Sequence, residues 1–171
     1  HLLNVCEMEL IYLDMAINVK KSACMRLGPR YNAECVAICT SDGQRLQWVD
    51  CIRYLGVEIR AARKFTCCVK RAKARFYRAF NSVFGRIGRN APEDVIVELL
   101  KTKCLPILLN ATEAYPVSTS NVGELQFAVT GALMKIFNTR LNYVADTCGE
   151  MFGICSVSSL VQARTSKFLE K

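Results

Sequence analysis

The residues of this chain best suited to chemistry are cations gathered in one acid-free segment. Residues 59–92 contain no Asp or Glu, while the rest of the chain holds 13 of the 23 basic residues and all 15 acidic ones. The ten cations of the segment are Arg60, Arg63, Lys64, Lys70, Arg71, Lys73, Arg75, Arg78, Arg86 and Arg89. Such a segment favours a polyanionic partner, with nucleic acid ahead of a membrane surface. A solvated helix face without a partner is the alternative, although such faces usually mix both signs of charge.

No Asp-Asp pair of the kind suited to metal-dependent group transfer occurs in this sequence. Two-metal catalysis requires acidic side chains that hold both ions together. The aspartates stand alone in the chain, and they are Asp14, Asp42, Asp50, Asp94 and Asp146. No Gly-rich phosphate loop and no pairing of a nucleophile with a base is recognisable. We therefore expect no metal site and no cofactor bound by this chain.

The ten cysteines are irregularly spaced, and Cys67 and Cys68 are adjacent. They are best interpreted as buried thiols that act as small hydrophobic side chains in a reducing compartment. A zinc site is the weaker alternative, because it needs closely spaced Cys and His ligands and the only histidine is His1. No export signal and no apolar stretch long enough to span a bilayer is present. We expect an intracellular protein of the cytoplasm and nucleus with no membrane partner.

Short-range patterns in the first third predict one helix and a small sheet. Apolar residues at helical spacing predict a helix over residues 2–15. Alternating residues predict strands over three runs: 22–27, 35–39 and 45–49. Asp42-Gly43 is a pair typical of tight primed turns, so the second and third runs should form a hairpin. Residues 51–59 predict one further strand in the same, mostly antiparallel sheet.

The remainder of the chain has helical periodicity. Apolar residues recur every three or four positions from Phe65 to Ile87, which predicts a long basic helix that begins near Thr66 and ends at Gly88. Pro92 should begin a second helix, and Pro106 should kink or break it. A third helix should open at Asn121, which resembles a capping box with Glu124, and run to about residue 138. Residues 141–171 predict one or two short helices. The expected fold class is α+β, an N-terminal helix and small antiparallel sheet followed by an all-α bundle.

Three short sequence motifs occur in this chain, two before the basic helix and one after it. They are the segments 16–25 (AINVKKSACM), 54–59 (YLGVEI) and 104–109 (CLPILL). Together they resemble the downstream half of the reverse transcriptase of a non-LTR, LINE-type retrotransposon. The resemblance covers residues 1–140. Asn110 and Ala111 depart from the aromatic residue and glycine that are usual in the family.

The resemblance implies a division into the end of the polymerase palm, residues 1–62, and a helical thumb, residues 63–140. Residues 141–171 would be short helices of unknown role. The implied partners are an RNA template with its DNA primer and the rest of the polymerase upstream of His1. The paired aspartates and their Mg²⁺ ions would belong to that upstream part, so residues 1–171 alone should be inactive.

Site residues are also implied by the resemblance. Lys21 matches a lysine near the triphosphate that acts as a proton donor to the pyrophosphate leaving group or as a charge stabiliser, although Lys20 is equally available. A primer grip, which holds the 3′ end of the growing strand, would comprise Tyr54, Leu55 and Gly56, with a plain core strand as the alternative. The duplex backbone would be contacted by Lys70, Lys73, Arg75 and Arg78. Two other functions stay open, a non-catalytic nucleic-acid-binding module and, less favoured, a helical scaffold that binds no nucleic acid.

Overall fold

Residues 2–87 and 90–170 are described by the computed structural model, which divides into two units, His1–Thr66 and Cys67–Lys171. The fold is α+β, as expected from the sequence. The predicted helix end at Gly88, the cation Arg89 and the single histidine, His1, lie outside the described residues.

The first unit begins with helix α1 (Leu2–Tyr12) and a small three-stranded sheet. Its strands are β1 (Ala23–Cys24), β2 (Ile38–Cys39) and β3 (Arg45–Trp48). The hairpin predicted around Asp42-Gly43 is confirmed, since β2 pairs antiparallel with β3. Its loop differs from the expected primed turn, because only Gly43 has a positive φ there, of 77°. Strand β1 pairs parallel with β3, so this sheet is mixed.

A second hairpin follows where a single strand was expected. Strands β4 (Cys51–Tyr54) and β5 (Val57–Arg60) pair antiparallel, with Tyr54 opposite Val57. Leu55 and Gly56 form the turn with φ values of 47° and 85°. Positive φ at both central residues is what a type I′ hairpin turn requires. The predictions of one strand over residues 51–59 and of one common sheet are therefore wrong.

The chain passes into the second unit through β6 (Thr66–Cys68), and helix α2 (Lys70–Ile87) follows. The predicted start of the helix near Thr66 is wrong. Burial alternates here, with Cys67 and Val69 buried and their neighbours Thr66 and Cys68 half-buried. A period of two is that of extended chain, so the apolar residues just before Lys70 belong to a strand and not to the helical stripe.

The next helical stretch passes through its proline instead of stopping there. Helix α3 (Glu93–Leu99) leads into a π-helical turn (Leu100–Cys104) and then α4 (Leu105–Leu108), which contains Pro106. A proline ring normally collides with the carbonyl four residues earlier. The wider π turn directs hydrogen bonds to the fifth residue, so that carbonyl need not face the ring. The predicted break at Pro106 is wrong for this reason, and the alternative of a kink stays a prediction.

The unit closes with α5 (Thr119–Ile136), α6 (Asn142–Met151) and α7 (Val157–Leu169). The last two helices confirm the prediction for residues 141–171. Ser118, and not Asn121, caps α5, with its Oγ accepting from the Asn121 backbone N–H at 3.2 Å. The Asn121 side chain instead donates to the Cys67 carbonyl at 3.2 Å.

The core of the second unit is formed by side chains that these helices bury completely. Its largest members are Phe76, Leu100, Leu108, Leu125 and Leu133. This core fixes the orientation of α2, the helix that carries most of the acid-free segment.

Candidate nucleic-acid interface

Helix α2 is anchored to the core of the second unit by aromatic side chains. Phe76 and Phe80 are 0% and 2% exposed, and their rings stack with centroids 6.2 Å apart. Phe84 continues the row one turn later, with its ring centroid 5.6 Å from that of Phe80. Because such rings bury much apolar area and pack in specific geometries, they set which face of α2 reaches solvent.

The solvent face of α2 carries a row of exposed arginines, here named the arginine stripe: Arg71, Arg75, Arg78 and Arg86. At 100° per residue they fall within an arc of about 80°, and they span about 22 Å along the axis. Within residues 2–87 and 90–170, none of the four makes a hydrogen bond or an ion pair. The guanidinium groups are thus available to an external anion.

Of the cations singled out from the sequence, Arg75 and Arg78 belong to the arginine stripe. Lys70 is exposed at the first residue of α2, about 100° around the helix from Arg71. Sequence reasoning did not single out Arg71 and Arg86. The signal was present, because residues at positions 71, 75, 78 and 86 lie away from the apolar face that the spacing of the phenylalanines defines.

Two other cations of the second unit, Lys73 on α2 and Lys135 on α5, have partners within that unit. Lys73 is half-buried, and its Nζ forms a short ion pair with the carboxylate of Glu124 on α5. The hydrogen bond from Lys73, with its charge, lowers the pKa of Glu124. Lys135 donates to Asn81 Oδ1 at 3.1 Å and lies 4.9 Å from the ring centroid of Phe84. These lysines tie α5 to α2, so Lys73 is the least available of the proposed phosphate ligands.

In the first unit, the tip of the β4–β5 hairpin projects two large apolar side chains. Tyr54 is 63% exposed and Leu55 is 82% exposed. Neither side chain is therefore buried in a core strand. Gly56 has open space where a Cβ would lie, so its positive φ, and not crowding, explains the glycine. An exposed aromatic ring on a rigid two-residue turn is suited to stacking on a base or sugar.

Lys21 also lies in the first unit, on an exposed turn. Its backbone N–H donates to the Asn18 carbonyl at 3.0 Å, and the N–H of Ser22 donates to the same oxygen at 2.9 Å. Lys20 is exposed as well, so the structure does not distinguish the two ammonium groups.

Among residues 2–87 and 90–170, no three His, Cys, Asp or Glu side chains are grouped so as to hold a metal ion. Over the same residues, no helix combines the length and apolar character that crossing a membrane requires.

Comparison with known proteins finds no matching family model, no matching curated protein and no matching solved structure.

Proposed function

We propose that this chain is the template–primer-binding part of a non-LTR retrotransposon reverse transcriptase, with the end of the palm in residues 1–62 and the thumb in residues 63–140. The observation that carries the proposal is the arginine stripe. It places exposed guanidinium groups without partners in residues 2–87 and 90–170 along a helix whose opposite face is anchored by Phe76 and Phe80.

The chemistry of the stripe favours contact with a phosphate backbone over contact with bases. A guanidinium donates to phosphate oxygens through two parallel N–H groups, and backbone contacts carry no sequence information. The stripe extends about 22 Å, and a full turn of duplex extends about 34 Å. A polymerase thumb must hold a duplex of any sequence, and a row of phosphate ligands meets this demand.

The hairpin tip supplies the second part of the proposal, a primer grip. Tyr54 and Leu55 would pack on the sugar and base at the 3′ end of the primer, and Gly56 would allow close approach of the backbone. Lys21 would offset charge on the triphosphate in the assembled enzyme. In this proposal the paired carboxylates that hold Mg²⁺ belong to polymerase sequence upstream of His1.

The test is binding of a primed RNA template, measured by fluorescence anisotropy. The variant R71Q/R75Q/R78Q/R86Q removes the stripe. The matched control R30Q/R45Q/K103Q/R140Q removes the same total charge from exposed positions elsewhere. We expect the stripe variant to lose binding and the control to retain most of it. Equal losses of binding in the two variants would mean that binding depends only on net charge, and would overturn the proposed interface.

A non-catalytic nucleic-acid-binding module is the second candidate, because the stripe alone would serve it equally well. The coding sequence immediately before His1 discriminates the two functions. A polymerase encodes an aromatic residue, a small residue and Asp-Asp there, whereas a free-standing module has its start codon.

A further inference from the structure

A groove in the second unit, remote in sequence from the arginine stripe, has the features of a peptide-binding site. It has a volume of about 420 Å³ and is open to solvent between the π turn with α4 on one side and α7 on the other. Its floor is apolar, formed by Leu105, Leu109 and Ile154, with Leu160 on the α7 wall.

Cations lie on both walls of this groove, and no carboxylate side chain of residues 2–87 and 90–170 lines it. Arg164 is already committed, because its Nε and Nη2 donate to the two oxygens of Glu113, each at 3.1 Å. Burial acts to raise the pKa of Glu113, but the hydrogen bond and charge of Arg164 outweigh it and lower that pKa. Arg164 is therefore held as part of the wall.

The other two cations are available. Lys101, on the π turn, lies 3.6 Å from Glu98 Oε2, in a surface pair of the kind that contributes little. Lys167, on α7, has no hydrogen-bond or ion-pair partner among residues 2–87 and 90–170. An apolar floor with one ammonium group on each side complements an apolar ligand that carries carboxylates on both flanks.

Two irregular backbone segments border the groove at Lys101. The π turn changes the helical register where Lys101 lies, and such turns are frequent at functional sites. Gly153 follows α6 with a φ of 73°, and its N–H donates to the Glu150 carbonyl at 2.9 Å. A Cβ at Gly153 would make only an ordinary 3.8 Å contact with Lys101 Nζ, so the positive φ and not crowding explains the glycine.

We propose that this groove binds an acidic amphipathic helix of a protein partner. Apolar side chains one turn apart would enter the floor, and flanking carboxylates would pair with Lys101 and Lys167. Nucleic acid fits poorly, because a phosphate backbone gains nothing from an apolar floor. The inference is independent of the proposed polymerase function, since it uses neither the arginine stripe nor the hairpin tip.

The experiment uses the full chain and a fluorescein-labelled helical peptide with leucines at i and i+4 and glutamates on both flanks. We expect saturable binding that K101E/K167E weakens by roughly tenfold or more, because repulsion replaces attraction. A lysine-flanked version of the peptide should bind K101E/K167E better than it binds the parent. This rescue shows that the variant is folded. The matched control R75E/R78E should bind the acidic peptide as the parent does.

Several outcomes would overturn the inference. Loss of peptide binding in R75E/R78E would place the peptide on α2, and unchanged binding after replacement of the leucines by serine would make the apolar floor irrelevant. Absence of saturable binding would also refute it. Displacement of the peptide by an RNA–DNA hybrid would identify nucleic acid as the occupant. A dimer in light scattering that K101E/K167E dissociates would identify a second copy of the chain.

Discussion

Each arginine that is removed from the stripe should make the affinity for duplex less dependent on salt concentration by a similar amount. Each phosphate contact contributes about 0.9 to the slope of log affinity against log salt for B-form DNA, a value we apply to an RNA–DNA hybrid. If all of Arg71, Arg75, Arg78 and Arg86 contact phosphates, the stripe contributes about 3.6 to that slope.

The corresponding change in affinity is large enough to measure. Over the fourfold rise from about 50 to about 200 mM salt, a slope of about 3.6 amounts to roughly two decades in affinity. Over this range of salt, the affinity of R71Q/R75Q/R78Q/R86Q should therefore fall less than the affinity of the parent, and the two falls should differ by about two decades. The loss should be the same for hybrids of different sequence, because backbone contacts do not read bases.

Lys73→Gln is the internal control for this titration. Lys73 was among the phosphate ligands expected from the sequence, but its Nζ is paired with Glu124. The slope should therefore fall by much less than the step of about 0.9 that Arg78→Gln produces. Anisotropy titrations at a series of salt concentrations measure both slopes, and urea unfolding checks that each variant is folded. An unchanged slope in the quadruple variant, or equal steps for Lys73→Gln and Arg78→Gln, would refute the reasoning.

Three other perturbations test separate features. Gly56→Ala should destabilise the hairpin by about 1 kcal/mol, because the φ of 85° at Gly56 disfavours a side chain. Gly85→Ala, at an exposed position of α2, should be neutral or stabilising. Urea unfolding measures the stability of both variants. Burial raises the pKa of Tyr115 to about 12, with a smaller contribution from negative charge on Cys67 and Cys68. Stability due to Tyr115 should thus be present below pH 10 and be lost as pH rises towards 12. The ionisation of Tyr115 is measured as the difference between the ultraviolet absorbance titrations of the parent and of Tyr115→Phe. A difference centred near pH 10 would contradict the raised pKa. Residues 1–171 with Mg²⁺, primed RNA and nucleotides should extend no primer, and template-dependent extension above a no-protein control would disprove this.

Features set by neighbouring residues could be predicted from the sequence. The β2–β3 hairpin follows from Asp42-Gly43 between two alternating runs, and the paired helices after residue 141 follow from local periodicity. The β4–β5 hairpin was missed because Leu55 adopts a positive φ, which costs a residue with a Cβ about 1–2 kcal/mol and is rarely expected of leucine.

Features set by distant residues could not be predicted. Glu124 lies 51 residues from Lys73, so no local pattern indicates that this lysine is engaged. The π turn that accommodates Pro106 depends on packing around Leu100 and Cys104, both buried, and propensity alone predicts a break there. The arginine stripe is an intermediate case. The helix was predicted with Arg75 and Arg78 among its phosphate ligands, but Lys70 and Lys73 were named in place of Arg71 and Arg86.

Site-specific photocrosslinking to a primed RNA template tests the proposed template–primer contact most directly. A benzoylphenylalanine is introduced in place of Leu55 at the hairpin tip, or in place of Ser82, which is exposed within the arc of the arginine stripe. We expect the probe at position 55 to label the 3′-terminal nucleotides of the primer and the probe at position 82 to label the duplex behind them. Even labelling along both strands from either position would contradict a template–primer role and leave a general nucleic-acid-binding module.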